Sequence, residues 1–338
     1  MNTIPSSLDA APEKAGQTSK RIMITIDTEA QPGRAPDRHV DRLIWGKQDE
    51  GDLGITKMMD IADRHNVKLC FFLDYAEYDL YGEELLNVGR EIDRRGHDLE
   101  LHIHPELIPS SFYKDKGLRA GRQFARLDAS ACQALAEHIL DLHNRVSSRP
   151  AIAFRGGGYR FSPDILQALY AGGVKYSSND NAYYDLGLLP PAIRAPFTWE
   201  CGMVELPVSV VDGFLNLEGF LPYYFDMGAL SNARYTLARC VSRHVKFVEK
   251  VFDEQAKGPC VMVLHSWSFQ NKNEEGHIIV ANVEAAQRFD RLLKKLLAEH
   301  EIITFRDLHD MEFGAVKSGE IFDKIEFSEL GDAIDSVR

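Results

Sequence analysis

The chain has 338 residues, with 39 Lys+Arg against 51 Asp+Glu and a formal net charge of −12. Hydrophobic residues make up 44% and charged residues 27%, a composition typical of a globular protein with a sizeable core. The acidic balance argues against a nucleic-acid-binding protein, because phosphate-binding surfaces need an excess of Lys and Arg. No stretch approaches the ~20 apolar residues of a membrane helix, so no transmembrane segment is predicted.

Residues 1–20 lack both a basic segment and an apolar segment, so they are not predicted to be a secretory signal. Their Pro, Ser, Gly and Ala content predicts a disordered lead-in. We expect residues 21–338 to form a single domain. The five cysteines are scattered and include no CxxC pair, which indicates reduced thiols and a cytoplasmic location.

From residue 21 onward, β-rich runs alternate with helical patterns, which is typical of an α/β fold with a mostly parallel sheet. The predicted strands are 21–27, 67–73, 98–102, 151–155, 203–208, 261–265 and 302–305. The predicted helices are 54–65, 83–95, 127–146, 162–171, 233–255 and 283–299. Asp128 and Ser162 lie at N-cap positions. About seven strand–helix units predict one barrel-like domain. Residues 30–52 lack periodicity and are either a lid or disordered.

Two carboxylates follow the first predicted strand, in the segment Asp27-Thr28-Glu29. Residues i and i+2 of an extended segment face the same way, so Asp27 and Glu29 can act together. One can bind a metal ion while the other accepts a proton from water. The alternative is an N-capping aspartate followed by a solvated loop acid.

His102 and His104 have the same i, i+2 spacing at the end of the third predicted strand. Both imidazoles can therefore reach one ion. With a carboxylate from the first strand they would form a His₂-carboxylate set, which is typical of a catalytic Zn²⁺ or similar ion. The alternative is a pair of surface or hydrogen-bonded core histidines.

Two further polar groups end predicted strands. Arg155 precedes three glycines, and these glycines can form a plain tight turn. Alternatively, the glycines let a ligand carbonyl approach the backbone N–H groups of the loop, while Arg155 fixes a carboxylate by paired hydrogen bonds. His265 is either structural or an acid for an amine leaving group. Strand carboxyl ends meet at one mouth in parallel α/β folds, so all four fragments are predicted to converge.

These segments resemble the motifs of the polysaccharide deacetylase family, the metal-dependent carbohydrate N-deacetylases. The resemblance runs from about Arg21 to Phe313 and rests on six segments: ITIDTE at 24–29, VKLCFF at 67–72, GHDLELHIHP at 96–105, FRGGGY at 154–159, ELP at 205–207 and LH at 264–265. The family commonly spaces its metal histidines four apart, whereas here the spacing is two. Thr28 stands at the usual carboxylate ligand position.

The resemblance implies an irregular (β/α)7 barrel of the polysaccharide deacetylase type. Carried over position by position, the catalytic set is Asp27, Arg155 and His265, and the metal set is Glu29, His102 and His104. Asp27 is the alternative metal carboxylate. Gly158 takes the oxyanion position, Tyr159 and Trp267 are candidates for a sugar platform, and Asp74 either orients the catalytic histidine or contacts substrate.

The function expected from these residues is removal of an N-acetyl group from an amino sugar, with a divalent metal, most simply Zn²⁺, as cofactor. A cytoplasmic location points to an intracellular glycan or a nucleotide- or lipid-linked sugar precursor of surface polysaccharide biosynthesis. Two alternatives stay open. One is a metal-free carbon–nitrogen hydrolase of a small amide, as in allantoinase-like proteins, and the other is a non-catalytic sugar-binding pseudo-deacetylase.

Overall fold

The computed structural model describes residues 21–48, 51–180, 196–211, 223–224 and 258–310. The strands in these ranges, in chain order, are β1 (Arg21–Thr28), β2 (Lys47–Gln48), β3 (Gly51–Asp52), β4 (Cys70–Asp74), β5 (Asp98–Ile103), β6 (Ala153–Gly156), β7 (Tyr176–Ser177), β8 (Phe197–Thr198), β9 (Val204–Glu205), β10 (Val210–Val211), β11 (Tyr223–Tyr224), β12 (Cys260–His265), β13 (Gln270–Lys272), β14 (Ile278–Ala281) and β15 (Glu301–Ile303). The α-helices are α1 (Ile55–Arg64), α2 (Tyr78–Tyr81), α3 (Glu83–Arg94), α4 (Ser110–Lys114), α5 (Ala129–Asn144), α6 (Pro163–Ala171) and α7 (Val283–Leu296). None of these helices has the length and apolar composition needed to cross a membrane.

The main sheet has nine strands in the order β12-β1-β4-β5-β6-β7-β9-β8, and β15 also pairs with β1. Its pairs are parallel except for β8 with β9. The sheet curls into a half-barrel, which confirms the predicted α/β barrel class. After β9, Ser209 reaches β12, where its backbone N–H donates to the Val261 carbonyl oxygen and its Oγ accepts from the Val261 N–H.

The two faces of the sheet differ in what covers them. Ile24 and Ile26 of β1 pack in the large apolar cluster that the helices share, on the outer face. Met23, one residue out of phase, packs instead with Phe72 and Phe305 in a smaller interior cluster. This alternation follows from the two-residue period of a strand, and it determines which side chains enter the barrel.

The amino-terminal end of the barrel is filled by the segment that follows β15. Phe305 and Leu308 are buried in the interior cluster. Between them, Arg306 donates from Nε to Oδ1 of Asp98 at 2.7 Å and from Nη2 to Oε1 of Glu100 at 3.3 Å. The charged groups at this end are therefore paired with one another, and the polar groups at the opposite end of the strands remain for a functional site.

Most predicted elements agree with the structure to within a few residues. The N-caps are confirmed, since Asp128 Oδ1 accepts from the Ala131 N–H and Ser162 Oγ from the Ile165 N–H. The segment predicted to be irregular contains a six-residue π-helix, Val40–Trp45, whose apolar residues are too few to produce a periodic signal. Residues 1–20 and the predicted helix at 233–255 lie outside the described ranges.

His97 gives the fold a pH-dependent contribution to stability. Its imidazole is buried, its Nδ1 accepts from the Leu69 N–H at 3.2 Å, and its ring lies edge-on to Phe71. Burial, together with the nearby Lys68 charge, lowers the pKa of His97 to about 4. Between pH about 6.5 and about 4 the unfolded chain binds a proton that the folded chain excludes.

The wild-type free energy of unfolding should therefore fall, by about 3 kcal/mol from this group, as the pH is lowered from about 6.5 to about 4. The variant His97→Asn keeps an acceptor near the Leu69 N–H and removes the titration. Urea denaturation at several pH values should show a shallower loss of stability for His97→Asn. Parallel curves for the two proteins would contradict the assignment.

Candidate active site

The period of β1 sends Asp27 and Glu29 toward the barrel interior. Ile24 and Ile26 pack on the outer face, so the residues that alternate with them, Asp27 and Glu29, point toward the interior. Asp27 is 4% exposed and Glu29 is 2% exposed, so both carboxylates are nearly removed from solvent. The side chain of Thr28 lies out of phase, and its Oγ1 donates to a backbone carbonyl oxygen of its own strand.

The same alternation in β5 brings His102 and His104 to the interior. Leu101 precedes His102, and Ile103 lies between the two histidines. Both of these aliphatic side chains pack in the outer cluster. The two imidazole rings are 5.1 Å apart between centroids, and both residues are buried. The i, i+2 spacing therefore brings both imidazoles to the same side of the strand.

Glu29, His102 and His104 form a compact group of ligand atoms. Oε2 of Glu29 lies 2.8 Å from Nε2 of His104 and 3.6 Å from Nε2 of His102. All three ligand atoms lie within 4.8 Å of one another. Atoms bound to one ion at about 2.0–2.2 Å have separations of this order. Asp27 is not a member of this group, so the geometry favours Glu29 as the carboxylate beside the histidines.

Three contacts hold the His104 imidazole in place. Its Nδ1 lies 3.0 Å from Oε1 of Glu106, and its backbone N–H donates to Oδ1 of Asp74 at 3.2 Å. Gly157 packs against the ring, because a Cβ there would lie 2.4 Å from the His104 Cγ. A proton on Nδ1 shared with Glu106 leaves the Nε2 lone pair for an ion, the arrangement found around metal-bound histidines. The sequence analysis missed Glu106.

Gln31 also touches this group and was likewise missed. Its Nε2 donates to Oε2 of Glu29 at 2.8 Å and lies 3.0 Å from Nε2 of His104. Its Oε1 accepts from Nε of Arg34, which orients the amide with its nitrogen toward the carboxylate. Gln31 follows Glu29 by two residues, and that spacing was the one available signal in the sequence.

The electrostatics of the group are those of carboxylates facing an imidazolium. Burial alone would raise the pKa of Glu29, but His104 and His102 hold that pKa well below its usual range. Burial would lower the pKa of His104, but Glu29 and Glu106 raise it well above its usual value. Against the effect of burial, His104 and Arg160 lower the pKa of Glu106 to about 2. A divalent cation can take the place of the imidazole proton in such a site.

Arg155 crosses the barrel interior to reach Asp27. Its guanidinium donates to Oδ1 of Asp27 at 2.7 Å and to Oγ1 of Thr25 at 2.9 Å. It also donates from Nε to the Ser178 carbonyl oxygen at 3.0 Å, and its Cζ lies 4.4 Å from the centre of the Phe72 ring. The Arg155 side chain is entirely buried, so Asp27 has one well-defined orientation.

The loop after β7 that receives Arg155 depends on a buried glutamate, Glu205. One Glu205 oxygen accepts from the N–H groups of Asn179 and Asp180, and the other accepts from Nε1 of Trp199. Oδ1 of Asn179 in turn accepts from the Gly156 N–H at 2.7 Å. Glu205 thus positions both the Arg155 loop and the glycine turn. Its presence in a predicted strand gave no indication of this role.

His265 ends β12 at the same mouth. Its Nε2 lies 3.8 Å from Oε1 of Glu29, and its side chain is 24% exposed. Its ring stacks on Trp267 with a centroid distance of 4.9 Å and an interplanar angle of 23°. Trp267 is 6% exposed, and the Cζ of Arg34 lies 4.9 Å from its ring centre. These contacts make Trp267 a support for His265 within the fold.

The turn after Arg155 has an unusual backbone. Gly158 and Tyr159 both have φ of 61°, in the left-handed region. The Cζ of Arg155 lies 5.9 Å from the Tyr159 ring centre. A left-handed tyrosine is uncommon, and such backbone conformations occur at ligand sites more often than elsewhere. Gly158 and Tyr159 therefore lie beside both Arg155 and the glycine that packs on His104.

Asp74, the other predicted contact residue, is fully buried behind the histidines. Its Oδ1 accepts from the N–H groups of Ala76 and His104. Burial raises the pKa of Asp74, and His104 and His102 partly oppose that effect. These contacts connect Asp74 with the position of His104.

A divalent transition-metal ion fits the group formed by Glu29, His102 and His104. Two imidazole nitrogens and one carboxylate oxygen are the ligand types found in open zinc sites. Glu106 supports one histidine as an outer partner, which is a usual feature of such sites. Nδ1 of His102 is buried and has no hydrogen-bond partner in the described ranges.

Comparison with solved structures identifies the fold. A protein from Mycobacterium smegmatis assigned as a polysaccharide deacetylase is 16% identical, with a TM-score of 0.51, over 88% of this chain and 90% of that one. The 4-α-glucanotransferase of Thermococcus litoralis is 12% identical with a TM-score of 0.53, over 88% of this chain and 41% of that one. The peptidoglycan N-acetylglucosamine deacetylase of Eubacterium rectale has a TM-score of 0.40 at 12% identity, over 90% of this chain and 97% of that one.

No family model and no curated protein matches the sequence. Two of these structures share an architecture yet differ in the chemistry that their names state, so the fold alone does not decide the reaction. The curled half-barrel sheet and its helices match the fold of the first of them. The chain has the α/β barrel fold of the polysaccharide deacetylases.

Proposed function

We propose that this chain is a metal-dependent hydrolase that removes an N-acetyl group from an amino sugar. The observation that carries the proposal is the group Glu29, His102 and His104, whose buried ligand atoms lie within 4.8 Å of one another. Two further side chains border this group: a carboxylate held by a buried arginine, and a histidine that is partly exposed. The deacetylase names of structural neighbours agree with that chemistry.

Glu29, His102 and His104 would hold the ion, and a bound Zn²⁺ or similar cation supplies a Lewis acid for the amide carbonyl and lowers the pKa of a water molecule toward ~7. Asp27 takes the proton of the attacking water, with its Oδ1 fixed by Arg155. The oxygen of that water forms a bond to the acetyl carbon. The Gly158 N–H would stabilise the oxyanion.

His265 then donates a proton to the amide nitrogen as the carbon–nitrogen bond breaks, and acetate and the free amino sugar leave. The Trp267 ring holds the His265 imidazole at the mouth of the barrel. Asp74 holds His104 through its backbone N–H. Tyr159, at the edge of the glycine turn, is our candidate for contact with the sugar.

We also propose a cytoplasmic location and an intracellular amino-sugar precursor as the substrate. The described cysteines are free thiols, and three of the four are buried, which agrees with a reducing compartment.

One contact favours the metal-free alternative instead. The Gln31 amide nitrogen contacts both Glu29 and His104, where it can act as a hydrogen-bond donor in place of an ion.

The first prediction concerns metal content. Protein purified without chelator or a polyhistidine tag should contain about one equivalent of a transition metal. The double variant His102→Ala/His104→Ala should lose it, whereas His277→Ala, a histidine on the outer hairpin, should keep it. Elemental analysis measures all three proteins. Absence of metal from the wild type after reconstitution with zinc, cobalt, nickel and manganese would rule out the proposed mechanism.

The second prediction concerns Gly157. A Gly157→Ala methyl group would overlap the His104 ring, so metal affinity should fall by about 10-fold or more. Gly276→Ala is the control, because no described atom lies within 4 Å of a Cβ built at Gly276, which lies in the outer hairpin. Competition with a chromophoric chelator measures the affinities. Equal affinities in the two variants would show that the turn does not position His104.

The third prediction separates Asp27 from Glu29. Asp27→Asn should retain metal but lower the rate of acetate release by about 10²-fold or more, because the base is lost. Glu29→Gln should lose the metal together with activity. The assignment of the two carboxylates is reversed if Asp27→Asn loses its metal and Glu29→Gln retains it.

A further inference from the structure

Arg34 is held rigidly beside the candidate active site. Its Nε donates to Oε1 of Gln31, and its Cζ lies 4.9 Å from the centre of the Trp267 ring. Its backbone carbonyl oxygen accepts from the Ile278 N–H at 2.7 Å. A stacked guanidinium with one fixed nitrogen has little rotational freedom left to lose when it binds a ligand.

A single amide group connects Arg34 with the proposed metal ligands. The nitrogen of the Gln31 amide contacts Glu29 and His104, while its oxygen accepts from Arg34. Trp267, which stacks on Arg34, also stacks on His265. Arg34 therefore borders the reacting centre on the side of the β1 loop and of the proposed general acid.

Among the residues that the structure describes, Arg34 differs from the other arginines of its loop in having no carboxylate partner. Arg38 pairs with Asp41 at 2.7 Å and Arg42 with Asp37 at 2.7 Å. Within the described ranges Arg34 forms no ion pair, although the chain carries a formal net charge of −12. In an acidic protein, a rigid cation without a counter-ion is suited to bind an anionic group on a ligand.

We propose that Arg34 binds an anionic substituent of the substrate, carried on a sugar carbon next to the one that bears the acylamino group. This inference rests on the proposed deacetylase function. An acylamino group at C2 has neighbours at C1 and C3, so the anion is either a phosphate at C1 or a carboxylate on the C3 oxygen. The two terminal nitrogens of Arg34 suit both groups, because each offers paired oxygens.

The test compares acetate release from N-acetylglucosamine 1-phosphate, N-acetylmuramic acid and the neutral methyl N-acetylglucosaminide. Wild-type protein should prefer one anionic substrate in kcat/KM by about tenfold or more, and the preferred one identifies the anion. Arg34→Met, whose side chain still covers Trp267, should lose that preference, because its kcat/KM for the anionic substrate should fall about tenfold more than its kcat/KM for the neutral one.

Two further variants control for charge and for folding. Arg64→Met removes the same charge from a surface ion pair with Asp290 and should behave as wild type. Arg34→Lys keeps the charge without the planar guanidinium and should retain part of the preference. The proposal is overturned if Arg34→Met lowers kcat/KM equally for all three substrates. It is also overturned if the wild type shows no preference for either anionic substrate.

Calorimetric binding separates this inference from the proposed function. N-acetylglucosamine 1-phosphate and N-acetylmuramic acid should each be tested against wild type and Arg34→Met at low ionic strength, where charge interactions are least screened. If no substrate releases acetate but the loss of Arg34 weakens binding of one anion tenfold, the deacetylase function fails and the anion site stands. Unchanged binding of both anions in Arg34→Met would refute the anion site.

Discussion

The ion pair between Arg155 and Asp27 lies wholly inside the barrel, where a charge that lost its partner would cost about 3–5 kcal/mol. The guanidinium also needs acceptors for its remaining N–H groups, and Thr25 and Ser178 provide them. These acceptors belong to β1 and to the loop after β7, which are far apart in sequence. The pair is therefore satisfied only when the curled sheet is complete, so the proposed general base and the fold form together.

A second buried carboxylate, that of Glu205, extends this dependence to the proposed metal ligands. Glu205 orders the loop that contains Ser178 and Asn179, and Asn179 accepts from the Gly156 N–H. The turn that begins at Gly156 presents Gly157 to the His104 ring. The ring orientation thus depends on a chain of short polar contacts across three strands. Such chains favour one arrangement because each partial loss leaves a buried polar atom unsatisfied.

The sequence predicted the elements whose signal is local or periodic. Alternating apolar residues located β1 and β5, and with them the faces that Glu29 and His104 would share. Contacts that depend on the path of a loop were not predictable in this way, since no periodicity describes the path of residues 30–48 or of residues 105–126. Gln31, Glu106 and Arg34 belong to this second class, and each acts through a polar group that meets its partner only in the folded chain.

Because side chains alternate between the two faces of β5, the proposed ligand set depends on which alternate residues of the strand face the interior. His102 and His104 lie inside because Leu101 and Ile103 lie outside, with Glu100 on the inner face below them. Removal of Leu101 would exchange the faces, so that two imidazoles would enter the apolar layer under the helices and the Ile103 side chain would turn into the cavity. Insertion or removal of two residues would keep both imidazoles on the inner face and would change only how far along the strand they lie. Length variation in this strand is therefore restricted to even steps wherever the histidine pair is kept.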